Sequence, residues 1–222
     1  MVNREWGRGV KGEIKICGLT NLADARLALE AGADYLGFVL YRRSPRGITA
    51  QVLREILQGL PEETRAVAVV VNESAGFVRD VVRSCRLHGV QYHGDEAPGT
   101  LAPGGAATWR AVRLEDGVWR PDPETWEPDR FVMDAAHSEY GGSGVTIDWQ
   151  AAADFALAHR AMLAGGLTPG NVAEVVRKVR PLGVDVASGV ERSPGCKDPG
   201  KVLEFIRSAR AAFREIVQEG KG

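Results

Sequence analysis

The sequence predicts an α/β protein, a single (β/α)8 TIM barrel over residues 1–222 with a short N-terminal extension at about residues 1–12. Three observations carry the prediction. Short β-rich runs alternate with helical stretches through eight cycles, which implies parallel pairing in one domain. No linker is long enough to divide the chain. Polar and glycine residues gather where the β-rich runs end, which is where an α/β barrel collects its chemistry. An open doubly wound sheet is the rival arrangement, but no G-x-G-x-x-G follows the first strand.

The elements follow in order. Glu13–Cys17 reads as a strand. Asn21–Ala31 reads as a helix, with Leu22, Ala25 and Leu29 on one face and Gly32 as its stop. Tyr35–Val39 is the second strand, and Thr49 caps a helix over Thr49–Leu60. Arg65–Val71 is a buried strand, followed by a helix at Ala75–Cys85 and a strand at Gly89–Tyr92. Thr108–Val112, Phe131–Asp134 and Ala161–Ala164 are the fifth, sixth and seventh strands. Asn171–Val179 is helical, Val184–Ala187 is the eighth strand, and Asp198–Val217 is a long final helix. The fifth cycle is the weak one: Glu115–Asp129 holds three prolines, so its helix is short or missing.

Composition excludes several classes. The chain is 44% hydrophobic and 26% charged, so it is no disordered polymer. Lys and Arg number 28 against 29 Asp and Glu, a net charge of −1 that favours neither nucleic acid nor an anionic membrane as partner. No apolar run approaches the ~18–20 residues of a membrane helix. Met1–Glu13 lacks the apolar segment of a secretory signal. Cys17, Cys85 and Cys196 form no close pair, which argues against a disulfide framework or a cysteine zinc site and for a reducing cytoplasm.

Several strand ends carry candidate chemistry. Gly165-Gly166 and Ser188-Gly189 follow strands seven and eight, where barrels place a phosphate on backbone N–H groups; ordinary turns are the plainer reading. Strand alternation puts Lys15 and Cys17 on one face. If that face lines the barrel, the ammonium favours a thiolate, able to act as base or nucleophile; a small buried hydrophobe is the alternative. Asp134 ends an apolar strand, which suits a carboxyl of raised pKa for general acid work, or else a structural hydrogen bond. Asp185 would need a partner inside a barrel, and Lys15 on the neighbouring strand is the obvious one. Arg46 is either a solvated surface arginine or a fork for a carboxylate. Gln91 and His93 share a direction and form a polar wall, with too few ligands nearby for a metal. His88, His137, His159 and Cys85 read as surface or packing residues, and Cys196 as an exposed loop thiol.

Together these motifs resemble one family. Lys15-Ile16-Cys17-Gly18-Leu19-Thr20 is similar to the opening motif of the phosphoribosylanthranilate isomerases of tryptophan biosynthesis. Ala31–Val39, Ser44-Pro45-Arg46, Val90–Glu96, Tyr140–Gly144 with Asp148-Trp149, Leu163–Pro169 and Val184–Glu191 continue the resemblance in order, from about Glu13 to Phe205. The resemblance implies a (β/α)8 barrel and a metal-free, cofactor-free Amadori rearrangement of a small phosphosugar, N-(5-phosphoribosyl)anthranilate. It implies Cys17 as general base, Asp134 as general acid and Arg46 as the clamp on the anthranilate carboxylate. It places the phosphate at Gly165, Gly166, Ser188 and Gly189. Monomer and homodimer are both open. Three positions depart from the family pattern: Val145 where lysine is frequent, Ala187 where serine is usual, and Tyr92 where leucine is common. A histidine-pathway isomerase would carry aspartate in place of Cys17, and a non-catalytic phosphate-binding barrel would have no use for the Cys17 and Asp134 pair.

Overall fold

The computed structural model describes residues 12–100, 102–134, 136–138 and 145–219. Eight parallel strands close on themselves: β1 (Glu13–Ile16), β2 (Tyr35–Val39), β3 (Ala66–Val70), β4 (Gly89–Tyr92), β5 (Ala107–Glu115), β6 (Arg130–Asp134), β7 (Ala161–Ala164) and β8 (Gly183–Val186). Each pairs with the next, and β8 returns to β1 with Lys15 opposite Asp185. The rival open sheet is thereby excluded. Strands covered on both faces read as continuous apolar runs, and every residue of the Ala66–Val70 stretch is buried.

Side-chain alternation divides the core in two. Outward residues such as Ile14, Leu36 and Ala68 meet the helices. Inward residues Tyr35, Val67, Trp109, Val132 and Met162 fill the barrel as a separate cluster. Below them, Arg130 pairs with Glu13 and lies over the rings of Tyr35 and Trp109, each centroid 5.2 Å from the guanidinium. The end of the barrel where the strands begin is thus plugged by aromatic and charged side chains, and the open end is where the strands finish.

Among the described residues, six helices flank the strands: α1 (Leu22–Glu30), α2 (Ala50–Gln58), α3 (Ala75–Cys85), α4 (Trp149–Ala158), α5 (Val172–Val179) and α6 (Pro199–Glu219). Asn21, Thr49, Ser74 and Asp148 cap the first four by accepting from backbone N–H groups of the first turn. Among the described residues, none is long and apolar enough to cross a membrane.

Two of the eight cycles hold no α-helix among the described residues, and for the fifth the prolines of Glu115–Asp129 predict as much. Among the described residues, the connection from β4 to β5 holds only a 3-10 turn at Pro103–Gly105. The connection from β5 to β6 holds an antiparallel strand, Val118–Arg120, and a 3-10 turn at Pro123–Thr125. Prolines 103, 121, 123 and 128 and glycines 104, 105 and 117 leave too few consecutive residues able to join a helical ladder. β5 instead runs three residues past Val112, to Glu115, to pair with the added strand. Conversely, α4 forms where the sequence reading names no helix, with Asp148 capping its start. The glycine-rich Tyr140–Gly144 stretch and residues 1–11 of the expected extension lie outside the described residues.

The loops after β7 and β8 meet at one backbone contact. A Cβ on Gly189 would lie 1.8 Å from the Leu167 carbonyl oxygen, so only glycine fits without moving backbone. Gly189→Ala is expected to lower stability by about 1–3 kcal/mol as an overpacking change, read as a lower urea midpoint at unchanged slope. An unaltered midpoint would show that the two loops separate freely.

Candidate active site

At the C-terminal end of the strands lies a cleft of about 490 Å³. It is lined by Cys17, Arg46, Gln91, His93, Asp134, Gly165, Gly166, Asp185, Ser188 and Gly189. Ten of the eleven residues singled out in the sequence therefore share one cavity. The eleventh, Lys15, lies directly beneath it with no solvent exposure.

Lys15 reaches the barrel interior because β1 alternates inward at Glu13, Lys15 and Cys17. Its Nζ donates to Asp185 Oδ2 at 2.8 Å and to Gln91 Oε1 at 3.0 Å. Three strands thus meet on one ammonium. Burial lowers the Lys15 pKa, but Asp185 and Cys17 beside it outweigh that and hold it above the ordinary lysine value.

Cys17 follows on β1, 8% exposed, its N–H donating to Val186 O at 2.8 Å. Gly37 on β2 makes room for it: a Cβ there would lie 2.7 Å from Cys17 Sγ and 2.9 Å from Lys15 Cε. From the sequence, the Lys15 ammonium is expected to favour a thiolate. The balance in the structure is the reverse, because burial pushes the Cys17 thiol up by more than Lys15 draws it down. The physical reason is the third partner: Asp185 already neutralises the lysine, and its own charge further disfavours a thiolate.

Asp134 closes β6 on the far side of the mouth, in register with Ala164 on β7 and Arg113 on β5. It is half-buried, above the apolar Val132 and Met133. Cys17 and Asp134 therefore approach one cavity from different sides of the barrel.

The turn after β7 holds Gly165 and Gly166 at φ +84° and +63°, a left-handed backbone that other residues rarely adopt. Asn171 fixes that turn by donating to Gly166 O at 3.0 Å and accepting from Thr168 N at 2.8 Å. Opposite stands the single turn Ser188–Val190, held against Leu167 at Gly189.

Arg46 comes from the loop after β2. Its Nε and Nη2 donate to the two carboxylate oxygens of Glu191 at 2.8 and 2.7 Å. Its stem crosses over Gly18, next to Cys17. The guanidinium is thus anchored and only partly solvated. Neither Glu191 nor its second partner Lys197 was singled out in the sequence. The distance between Arg46 and Glu191 in the chain left only the alternation of buried charge near strand ends as a signal.

Burial, aided by the charges of Arg113, Lys15 and Arg110, pulls the His93 pKa down to about 4, so the imidazole is neutral at pH 7. The loop after it is tied down by Glu96, which accepts from Asn72 N, Gly94 N and Arg110 Nη1 at 2.7–2.9 Å. Glu96 and Arg110 are further residues that sequence reasoning missed. Two buried polar atoms on the cleft lining, His93 Nδ1 and Asp185 Oδ1, have no hydrogen-bond partner among the described residues. Away from the site, His88 stacks near Tyr35, His159 packs on Phe131 and Phe155, and Cys85 is buried. Cys196 is half-buried in a short antiparallel pairing with Ser193, rather than an exposed loop thiol.

Comparison with known proteins agrees with this geometry. The family model for N-(5'-phosphoribosyl)anthranilate (PRA) isomerase matches residues 14–208. The N-(5'-phosphoribosyl)anthranilate isomerase of Trichlorobacter lovleyi is 45% identical over 203 residues, covering 90% of this chain and 99% of that one. The enzyme of the same name from Magnetococcus marinus is 40% identical over 211 residues, covering 95% and 98%. Among solved structures, phosphoribosyl anthranilate isomerase from Thermotoga maritima superposes with a TM-score of 0.76 at 36% identity, covering 90% and 99%. A phosphoribosyl anthranilate isomerase in complex with reduced 1-(o-carboxyphenylamino)-1-deoxyribulose 5-phosphate gives 0.74 at 33%, with the same coverage. A closed barrel, a cleft at its C-terminal mouth and matches along nearly the whole chain converge: the chain belongs to the N-(5'-phosphoribosyl)anthranilate isomerase family.

Proposed function

We propose that this cleft isomerises N-(5'-phosphoribosyl)anthranilate to 1-(2-carboxyphenylamino)-1-deoxyribulose 5-phosphate, an aldose–ketose step of tryptophan biosynthesis, by general acid and base catalysis. The observation that carries the reading is the placement of Cys17 and Asp134 on one cleft whose far rim is a pair of glycine turns.

The steps follow from the groups. The phosphate sits on backbone N–H groups of the Gly165-Gly166 and Ser188-Gly189 turns. The anthranilate carboxylate faces the outer edge of the Arg46 guanidinium, whose Nε and Nη2 are held by Glu191. Asp134 donates a proton to the ring oxygen, and the bond from that oxygen to C1 breaks. The nitrogen lone pair forms a C1=N iminium. That cation acidifies C2–H and favours a thiolate at Cys17, which forms by releasing to solvent the proton that burial otherwise retains. Cys17 removes the C2 proton, and the electrons pass to C1 and nitrogen as an enolamine. Protonation at C1 and loss of the C2 hydroxyl proton give the ketone. No electron acceptor is needed, because the substrate oxidises C2 and reduces C1 internally. Asp185 Oδ1 and His93 Nδ1 offer unused hydrogen-bonding capacity for the sugar hydroxyls. Every group invoked comes from one chain, so the chemistry is compatible with a monomer or a homodimer.

The direct test follows fluorescence loss of phosphoribosylanthranilate generated in situ. Cys17→Ala and Asp134→Ala, each still folded by circular dichroism, are expected to lose at least ~10²-fold in kcat, the lower range for a placed proton-transfer group. Turnover retained in either variant would refute its role.

Burial raises the Cys17 pKa, and the base works only when deprotonated. Because Asp134 must carry its proton while Cys17 must have lost its own, kcat/KM of the free enzyme should be bell-shaped in pH, with the limb set by Cys17 lying above about 8.5, the ordinary thiol value. A profile with no limb above that pH would show that another group is the base.

Gly37→Ala is expected to push Cys17 Sγ aside and lower kcat about 10²-fold, the loss that a displacement of roughly 1 Å can cause, with KM little altered. Unchanged kcat in the folded variant would show that the thiol position is not critical.

A further inference from the structure

The carboxylate of Glu191 is nearly buried, 7% exposed as a residue, yet it holds Arg46, which lines the cleft. Its Oε1 accepts from Arg46 Nε at 2.8 Å, from Lys197 Nζ at 3.0 Å and from Gly195 N at 3.2 Å. Its Oε2 accepts from Arg46 Nη2 at 2.7 Å. Lys197 has 1% exposure and also donates to Ala187 O at 3.0 Å, the residue before the Ser188–Val190 turn. Lys201 Nζ donates to the Glu191 carbonyl at 2.8 Å. The carboxylate is therefore held by two groups from the loop after β8, Lys197 Nζ and Gly195 N, and grips Arg46 with both oxygens.

Two cations share one anion in this cluster, which leaves one net positive charge. Lys197 is sealed from solvent, whereas the Arg46 side chain keeps 22% exposure and lines the cleft. The uncompensated charge is thus presented to the cleft through the outer edge of the guanidinium. A second carboxylate approaching that edge would complete the balance. A long, flexible arginine would otherwise lose rotamer freedom on gripping a ligand; one already locked by a bidentate fork loses less.

We propose that Glu191, itself anchored by Lys197, is the positioning residue that preorganises Arg46 as the receptor for the substrate carboxylate. The inference rests on the role proposed for Arg46 above. Lys197 and Ala187 then tie this receptor to the base of the glycine turn, so the two anion-binding ends of the cleft share one rigid support.

The test is a double-mutant cycle on Arg46→Ala and Glu191→Gln, with kcat and KM for phosphoribosylanthranilate measured separately. Glu191→Gln puts an amide N–H against the Nη2–H of Arg46 and breaks the fork. It should raise KM about tenfold while kcat falls by no more than about threefold, the pattern of lost ground-state and transition-state binding in common. In the Arg46→Ala background the same change should add no more than about twofold, because the two residues act as one unit. Inhibition by anthranilate alone should weaken in parallel with KM. An unchanged KM in Arg46→Ala would overturn the reading of Arg46 itself. A raised KM in Arg46→Ala with a normal KM in Glu191→Gln, or effects that multiply in the double variant, would overturn the positioning role alone. Should Glu191→Gln fail to fold, Glu191→Asp keeps the charge but retracts the carboxylate by one methylene. It is then expected to raise KM severalfold at nearly constant kcat, and a wild-type KM there would refute the proposal.

Discussion

A lysine ammonium sealed inside the barrel sets the terms for everything above it. An uncompensated charge at Lys15 would cost several kcal/mol, so the barrel closes in the register that brings Asp185 opposite it on β8 and Gln91 to it from β4. That pairing ties three strands together at one depth, just under the floor of the cleft. It also decides the state of the thiol above. With its charge shared with Asp185, Lys15 exerts a dipole rather than a lone cation on Cys17, and burial keeps the proton on sulfur. A resting thiol is far less reactive than a thiolate toward oxidants and electrophiles. In the proposed reaction the missing cation is supplied by the substrate, so base strength appears only when the ring has opened.

The barrel is uneven around its circumference, and the unevenness has a packing logic. Helices cover β1 to β3 and β6 to β8, but β5 lies under turns. Tryptophans do the work of a missing helix there. Trp126 is buried and lies against Arg110, 4.5 Å from guanidinium to ring, and Trp119 stacks on Phe155 of α4 at 4.5 Å. Arg110 in turn holds Glu96 and the Gly94 carbonyl, which fixes the loop carrying His93. Cover for the fifth strand and order in the cleft wall are therefore one structure.

What could be read from the sequence was what repeats or clusters locally. Apolar runs such as Ala66–Val70 have a period and a length, and α3 has caps at both ends, so their positions emerged within a residue or two. Lys15 and Cys17 could be placed on one face because alternation is a property of a single strand. The Lys15–Asp185 partnership followed once a closed barrel made β1 and β8 neighbours. Connections rich in proline and glycine carry no such period; the helix after β5 is accordingly expected to be short or missing, and turns stand there. The protonation of Cys17 is not legible in the sequence because it depends on a three-body balance of burial, Lys15 and Asp185, of which strand alternation shows only the lysine. The roles of Glu191 and Arg110 escape for a related reason: each acts through a partner brought to it by the fold, and the motif that ends at Glu191 does not say what that carboxylate holds.

The electrostatics of the cleft suit a substrate that is anionic at its ends and becomes cationic in the middle. At one end, backbone N–H groups of two glycine turns offer partial positive charge without any ion to desolvate. At the other, Arg46 presents the residual charge of its cluster with Glu191 and Lys197. Between them the lining is close to neutral. Lys15 and Asp185 cancel, and His93 is held uncharged with a pKa of about 4. That neutrality matters for the chemistry proposed. An imidazolium at His93 would repel an iminium forming at C1, and a lone lysine beneath Cys17 would do the same. Burial penalises a charge on His93, and Asp185 cancels the one on Lys15, so the cation formed by ring opening meets Asp134, left anionic by the proton transfer, and a thiol ready to become one more anion. The same burial that withholds the thiolate at rest thus keeps the centre of the cleft free of competing positive charge when the reaction needs it.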